Sequence, residues 1–277
     1  MNIKLVCMDL DGTLFAHAGE IPDVNIKALR ECEKRGIRLA LVSGRGFPFI
    51  RRTAERIGVD CAIVSANGAR IEASVNGPLV FEGTFTEDEG RRVMDTMLEA
   101  EVNFEAYTRE VNYVVHPELA PERHIRSLQM NVQAGDVKAE YDPEKMKRYA
   151  PSTAYKFVVF TKDEDAFQRA RKLLDQKGIK HCSSGSGNLE VMPRGIDKGS
   201  AIRRLWEHFG LKKDQVMAFG DYTNDLDMLM ASGHPVAMGN AVEEVRAIAK
   251  YIAPVNTEGG VGLFLMENVL QEKMLCR

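Results

Sequence analysis

Four short stretches hold the residues best suited to chemistry: "DLDGT" with Asp9 and Asp11, "LVSGR" with Ser43, "GIDKGS" with Lys198, and "FGDYTND" with Asp221, Asn224 and Asp225. Three of them follow apolar, strand-like runs, so a parallel sheet would bring them to one edge. Residues i and i+2 of an extended segment point the same way, so Asp9 and Asp11 are expected to face one pocket, with Gly12 letting the chain turn. Carboxylates converging without a compensating arginine cluster repel one another. A divalent cation resolves that repulsion, and oxygen donors with no nearby His or Cys select Mg2+ over zinc. A hydroxyl (Ser43) and an ammonium (Lys198) in the same place suit a phosphate.

Each motif also has a plainer reading. "DLDGTLFAHAGE" carries acids at positions 1, 3 and 12 of a calcium loop, but Thr13 stands where an acid or Asn is usual and Leu14 where Gly is required. A strand, not a helix, precedes it. Ser43 alone reads as a helix cap, Lys198 as a solvated lysine at a helix start, and Asp225 as a first-turn acid favoured by the helix dipole. Asp221, straight after "VMAFG", is poorly explained by packing. Arg45 reads equally as a substrate contact and as a surface arginine, His17 reads as exposed, and the six histidines show no i,i+4 pairing suited to a metal.

The elements that must position these groups follow from periodicity. Strand Ile3–Met8, a helix over Asp23–Arg35 ending at Gly36, the run "IRLALVS", a helix over Phe49–Ile57 and "CAIVSANGA" alternate as a parallel, right-handed βαβ layout. "ARIEAS" and "PLVFEG" flank Asn76-Gly77, a hairpin signal. From Thr84 the texture changes: a helix over Glu87–Ala100, strands near Asn103–Tyr107 and Asn112–Val115, then a charged middle with Pro117, Pro121, Pro143 and Pro151. "YKFVVFT", a helix over Glu164–Lys177 and strands near Lys180–Ser183 and Leu189–Met192 complete an α+β segment. The α/β alternation resumes with a helix over Ser200–Phe209, the strand "VMAFG", and "LDMLMAS", "HPVAMG", "AVEEVRAIA" and "YIAP". The expected fold class is therefore α/β, a Rossmann-like parallel-sheet core of residues 1–82 and 194–277 interrupted by an inserted α+β segment, 83–193.

A length of 277 residues gives ample core without staples, and a net charge of -3 offers no argument for nucleic acid or an anionic membrane as partner. The five cysteines are odd in number and lack a C-x-x-C pair, and Cys7 and Cys61 fall in apolar runs, which favours reduced thiols. No apolar stretch reaches 18 residues and the first eight are poorly flanked for a signal peptide, so a reducing cytoplasm is expected. Nothing here bears on oligomeric state.

Taken together, the four motifs in this order and spacing resemble those of the haloacid dehalogenase-like phosphohydrolases. The inserted segment and the ending "NTEGGVGLFLMENVL" resemble the Cof-type subfamily. The resemblance implies a Mg2+-dependent phosphatase acting on small phosphorylated metabolites, sugar phosphates foremost, through an aspartyl-phosphate. It implies that Asp9 is the nucleophile and Asp11 the acid and then the base. Mg2+ would be held by Asp9, Asp221 and the main-chain carbonyl of Asp11, with Asp225 beside them. Ser43 with Gly44, Lys198 and Asn224 would hold the phosphoryl group, and the inserted segment would act as a cap that reads the leaving group. A phosphomutase on the same fold and a non-catalytic phosphometabolite sensor are the alternatives. Asp11 argues against the sensor, since binding alone needs no proton-transfer acid.

Overall fold

The first element, β1 (Leu5–Met8), is buried along its whole length, as a continuous apolar run demands of a strand covered on both faces. It is followed by α1 (Asp23–Lys34), β2 (Arg38–Val42), α2 (Phe47–Ile57), β3 (Ala62–Ser65) and the hairpin β4 (Arg70–Glu72) and β5 (Leu79–Glu82). Next come α3 (Glu87–Glu99), β6 (Phe104–Tyr107), β7 (Val111–Val115), α4 (Glu122–Gln133), β8 (Lys138–Glu140), α5 (Pro143–Thr153), β9 (Lys156–Phe160), α6 (Glu164–Gln176) and β10 (Asn188–Val191). The chain closes with α7 (Lys198–His208), β11 (Val216–Gly220), α8 (Leu226–Ala231), β12 (His234–Ala237), α9 (Glu243–Ile248), β13 (Tyr251–Ile252) and α10 (Gly260–Leu265). The structure, a computed structural model, describes residues 1–17, 19–184 and 187–271, with Arg123 described by its backbone alone. Cys276 lies outside the described residues.

Two compact units result, one of residues 1–82 together with 197 onward, the other of Gly83–Ile196. The first is built on a sheet of order β13-β12-β11-β1-β2-β3-β4-β5, parallel from β13 to β3 and antiparallel at β4 and β5. Side chains alternate between its faces. Val6, Met8, Leu39, Leu41, Met217 and Phe219 pack under α1, α2 and α10, while Leu5, Cys7, Ala40, Val42, Val216 and Ala218 pack under α7, α8 and α9. The chain runs outward from β1 in both directions, to β2 on one side and to β11 on the other. Met8 pairs with Leu41 and with Phe219. The residues just past these three strand ends therefore lie side by side at the switch point where open α/β sheets bind ligands.

The second unit has a five-stranded sheet, β10-β9-β6-β7-β8, with α3, α5 and α6 over the face that carries Phe104, Ala106, Phe157, Val159, Leu189 and Val191. The charged middle, to which the sequence reading assigned no element, contains α4, β8 and α5. Two of its prolines stand at helix starts, Pro121 just before α4 and Pro143 at the first position of α5, whose amides Glu144 and Lys145 are capped by Asp142, while Pro151 lies within the last turn of α5. The strand expected at Lys180–Ser183 is a single bridge from Cys182 to Glu190. The helix expected from Ser200 starts at Lys198, because Asp197 caps it through the Ser200 amide.

Candidate active site

β1 ends at Met8, and Asp9 continues it, its amide N–H donating to Phe219 O at 3.1 Å. The chain then leaves the extended conformation in a wide turn over Leu10–Leu14, closed by Phe15 N–H to Leu10 O at 2.9 Å. That turn undoes the shared direction expected of Asp9 and Asp11. Asp9 is buried, whereas the Asp11 side chain is 53% exposed and forms a bidentate pair with Arg45, both contacts at 2.7 Å. The expectation of uncompensated carboxylates thus fails at Asp11, which has an arginine partner.

Behind Asp9 lies a closed ionic cluster. Lys198, at the first position of α7 and fully buried, donates to Asp9 Oδ1 at 2.6 Å and to Asp225 Oδ1 at 2.7 Å. It is not a solvated lysine. Asp225 accepts through its other oxygen from the amides of Asp221 and Tyr222, at 2.9 and 3.2 Å. It is a buried anchor of the turn after β11, not an exposed dipole-favoured acid. Thr13 Oγ1 donates to Asp221 Oδ1 at 2.7 Å, which ties the first motif to the last. Two glycines make the approach possible. A Cβ on Gly12, whose φ is +83°, would lie 2.3 Å from Asp221 Oδ2, and one on Gly199 would lie 2.3 Å from Asp227 O, where α7 meets α8.

Burial pushes the Asp9 carboxyl well above the ordinary carboxylate range; Lys198 pulls it back, and Asp225, Asp221 and Asp11 add to the rise. Asp221 is pushed up to about 7, by burial and then by Asp225, with the Thr13 hydroxyl opposing. For Lys198 burial works against the charge, but Asp225 and Asp9 outweigh it and hold the ammonium above its ordinary value. One ammonium therefore serves three buried carboxylates. Oxygens of Asp9, Asp221 and Asp225 all lie within 4.8 Å of one another, an oxygen-only set that fits a hard divalent cation.

Ser43, buried at the end of β2, accepts from the Arg45 amide through Oγ at 3.2 Å, and its carbonyl accepts from the Asn67 amide at 3.0 Å. It caps no helix, since α2 begins after Gly46. Gly44 and Asn224 are half-buried, in the turns after β2 and β11. Beyond these, sequence reasoning missed the asparagines that hold the turn after β1. Asn240 donates to Gly12 O at 2.8 Å, Asn256 to Phe15 O at 2.8 Å and Asn25 to Leu14 O at 3.0 Å. Asn25 in turn accepts from the Gly262 amide at 2.7 Å, so "NTEGGVG" is a strap over the first motif. Its glycine density was the available signal. A depression of about 600 Å3 bounded by Lys213, Met230 and Lys250 opens at the opposite, amino-terminal ends of β11–β13 and carries none of these groups.

Comparison with known proteins gives the family and the fold. Residues 6–265 match the family of haloacid dehalogenase-like hydrolases. The chain is 30% identical over 273 residues to 5-amino-6-(5-phospho-D-ribitylamino)uracil phosphatase YcsE of Bacillus subtilis (strain 168), covering 98% of this chain and 97% of that one. It is 30% identical over 247 residues to the HMP-PP phosphatase of Cronobacter sakazakii, covering 88% and 87%. A solved haloacid dehalogenase-like hydrolase from B. subtilis superposes with a TM-score of 0.84 at 24% identity, over 96% of this chain and all of that one.

Proposed function

Because the chain belongs to the haloacid dehalogenase-like hydrolase family, and is a phosphatase acting on small phosphorylated metabolites, we propose that it works with Mg2+ through an aspartyl-phosphate on Asp9. The observation that carries this reading is the buried cluster of Asp9, Asp221, Asp225 and Lys198 at the sheet's switch point. A Mg2+ ion held by Asp9, Asp221 and the main-chain carbonyl of Asp11, with Asp225 adjoining, supplies charge neutralisation at the phosphoryl group when bound.

The chain's own residues do the rest. Asp9 attacks phosphorus and the bond to the leaving oxygen breaks; Asp11 gives that oxygen its proton. Asp11 then takes a proton from water, whose oxygen attacks phosphorus and frees Asp9. Lys198 opposes the effect of burial by favouring the ionised form of Asp9 and lessens its repulsion for the anionic substrate, while Ser43, Gly44 and Asn224 hold phosphoryl oxygens. Asp225, with both oxygens engaged, fixes Lys198 and the turn that carries Asp221.

Choice among substrates is assigned to the second unit. The face of its sheet opposite the core buries Glu105, Lys156 and Glu190, with Lys156 and Glu190 paired at 2.7 Å. Charges buried at that cost suit recognition of a polar leaving group such as a sugar or polyol. Burial raises the thiol of Cys7 and pushes those of Cys32 and Cys61 up to about 12, in keeping with reduced cysteines in a cytoplasmic enzyme. The test is phosphate release from a panel of sugar, polyol and nucleoside monophosphates, with Mg2+ and with EDTA. Turnover undiminished in exhaustively chelated protein sinks the metal assignment, and no release from any monoester sinks the hydrolase.

A further inference from the structure

Asp11 is the one carboxylate of the first motif that the buried cluster leaves outside, and Arg45 receives it. Arg45 Nε donates to Asp11 Oδ2 and Nη2 to Oδ1, each at 2.7 Å. The fork itself is fixed at several points. Its guanidinium carbon lies 4.2 Å from the centroid of the Phe49 ring, and Phe49 meets Phe15 edge-on at 6.2 Å. The Arg45 amide donates to Ser43 Oγ at 3.2 Å, and the Arg45 carbonyl accepts from the Ala66 amide at 3.0 Å.

An exposed ion pair of this kind contributes little to stability. Its worth is direction: a planar, stacked guanidinium sets the plane and angle of the carboxylate it grips, which a lysine does not. A carboxylate has about four lone-pair sites, so a fork that takes one on each oxygen leaves one on each for a proton. The grip therefore does not block proton transfer. It holds Asp11 on the solvent side of buried Asp9, the side from which a leaving group must depart when a buried nucleophile attacks in line.

We infer that Arg45, on its platform of Phe49 and Phe15, is the positioning residue for the proton-transferring carboxylate of Asp11, an assignment that rests on the role proposed for Asp11 above. It also couples two motifs, since the strand-end loop that carries Ser43, proposed above to hold the phosphoryl group, carries the arginine that aims the acid.

The experiment is a double-mutant cycle of Asp11→Asn and Arg45→Met, with kcat and KM measured on para-nitrophenyl phosphate, a good leaving group, and on an alkyl phosphate, a poor one. Arg45→Met is expected to lower kcat on the alkyl phosphate about 10- to 100-fold with KM little changed, as misaimed catalytic groups do. The loss on para-nitrophenyl phosphate is smaller. In the Asp11→Asn background the same change adds no more than about twofold, the scatter of silent sites. Arg45→Lys, which keeps charge and loses the fork, falls between parent and Arg45→Met, and it carries the test if Arg45→Met does not fold. A raised KM at constant kcat that persists in the Asp11→Asn background overturns the inference, for Arg45 then touches substrate directly. If Asp11→Asn itself fails to discriminate between the two leaving groups, the role of Asp11 falls, and the inference with it.

Discussion

Lys198 Nζ lies 2.6 Å from Asp9 Oδ1 although 189 positions separate the two residues, and its second bond, to Asp225, is 2.7 Å long. This pair is both a structural and a chemical junction. Replacing Lys198 by Met leaves three carboxylates buried together without a cation. Stability to urea should fall by about 3–5 kcal/mol, with Mg2+ returning part of it. The kcat should fall about 100- to 1,000-fold. A variant as stable as the parent in EDTA would show that the cluster is hydrated and that Lys198 neutralises little.

Asp9→Ala and Asp11→Asn should separate the two halves of the reaction. Asp9→Ala removes turnover and any covalent phosphate together. Asp11→Asn still accepts the phosphoryl group from para-nitrophenyl phosphate but hydrolyses the intermediate about 100- to 10,000-fold more slowly. Acid quench of the second variant should therefore trap protein-bound phosphate. Trapped phosphate in Asp9→Ala would place the nucleophile elsewhere.

The carboxyl of Asp221, raised to about 7, gives a pH signature in metal-free protein. Unfolded, it titrates near 4, so the folded state binds the proton more tightly. This group's contribution to stability is thus fully present below pH 4 and is lost as pH rises through 7. Asp221→Asn keeps an acceptor for Thr13 and removes the charge. In EDTA at pH 8 the variant should melt higher than the parent by at least about 2–4 °C, the shift expected of 1 kcal/mol in a chain of this size. The gap should close towards pH 4, and Mg2+ should reverse the order at pH 8. A variant that melts lower in EDTA at pH 8 would contradict the account.

Gly12→Ala tests the turn. Its φ of +83° costs an alanine about 1–2 kcal/mol, and the new Cβ would meet the Asp221 carboxylate. Mg2+ affinity, read by titration of metal-dependent melting, should weaken even where the variant folds. Unchanged affinity would mean that the Gly12–Asp221 approach is unimportant for the cation.

In the second unit, Lys156→Met should cost about 3–5 kcal/mol by stranding Glu190, while Lys156→Met with Glu190→Leu should be close to neutral. If this face reads the leaving group, the double variant keeps para-nitrophenyl phosphate hydrolysis and changes the kcat/KM ranking of sugar and polyol phosphates. A preserved ranking would move substrate choice to other residues.

Much of this protein is local in its sequence and was legible there. Apolar runs at Leu5–Met8, 39–42 and Val216–Gly220 bury on both faces because their side chains leave no polar side to expose, and each ends on a group with chemistry. Asn76-Gly77 does mark the hairpin, but within a longer connection, 73–78, closed by the Gly77 amide on Ser74 O at 3.1 Å, and neither residue takes the positive φ of a two-residue turn. Where the local signal was ambiguous no element was assigned, as around Pro121 and Pro143, since proline disfavours a helix interior but suits a helix start.

What only the tertiary structure decided are pairings between distant positions. Thr13 finds Asp221 across 208 residues and Asn240 finds Gly12 across 228, and nothing in the spacing of either announces it. Arg45 and Asp11, 34 apart, meet because β1 and β2 lie side by side and the Leu10–Leu14 turn swings Asp11 outward. Residue type supplies the capacity to bond, and sequence order brings each group to its strand end. Which partner satisfies it depends on the side-by-side packing of strands and on a turn of a few residues, where a rotation too small to alter any pattern sends one carboxylate into the core and the next to an arginine.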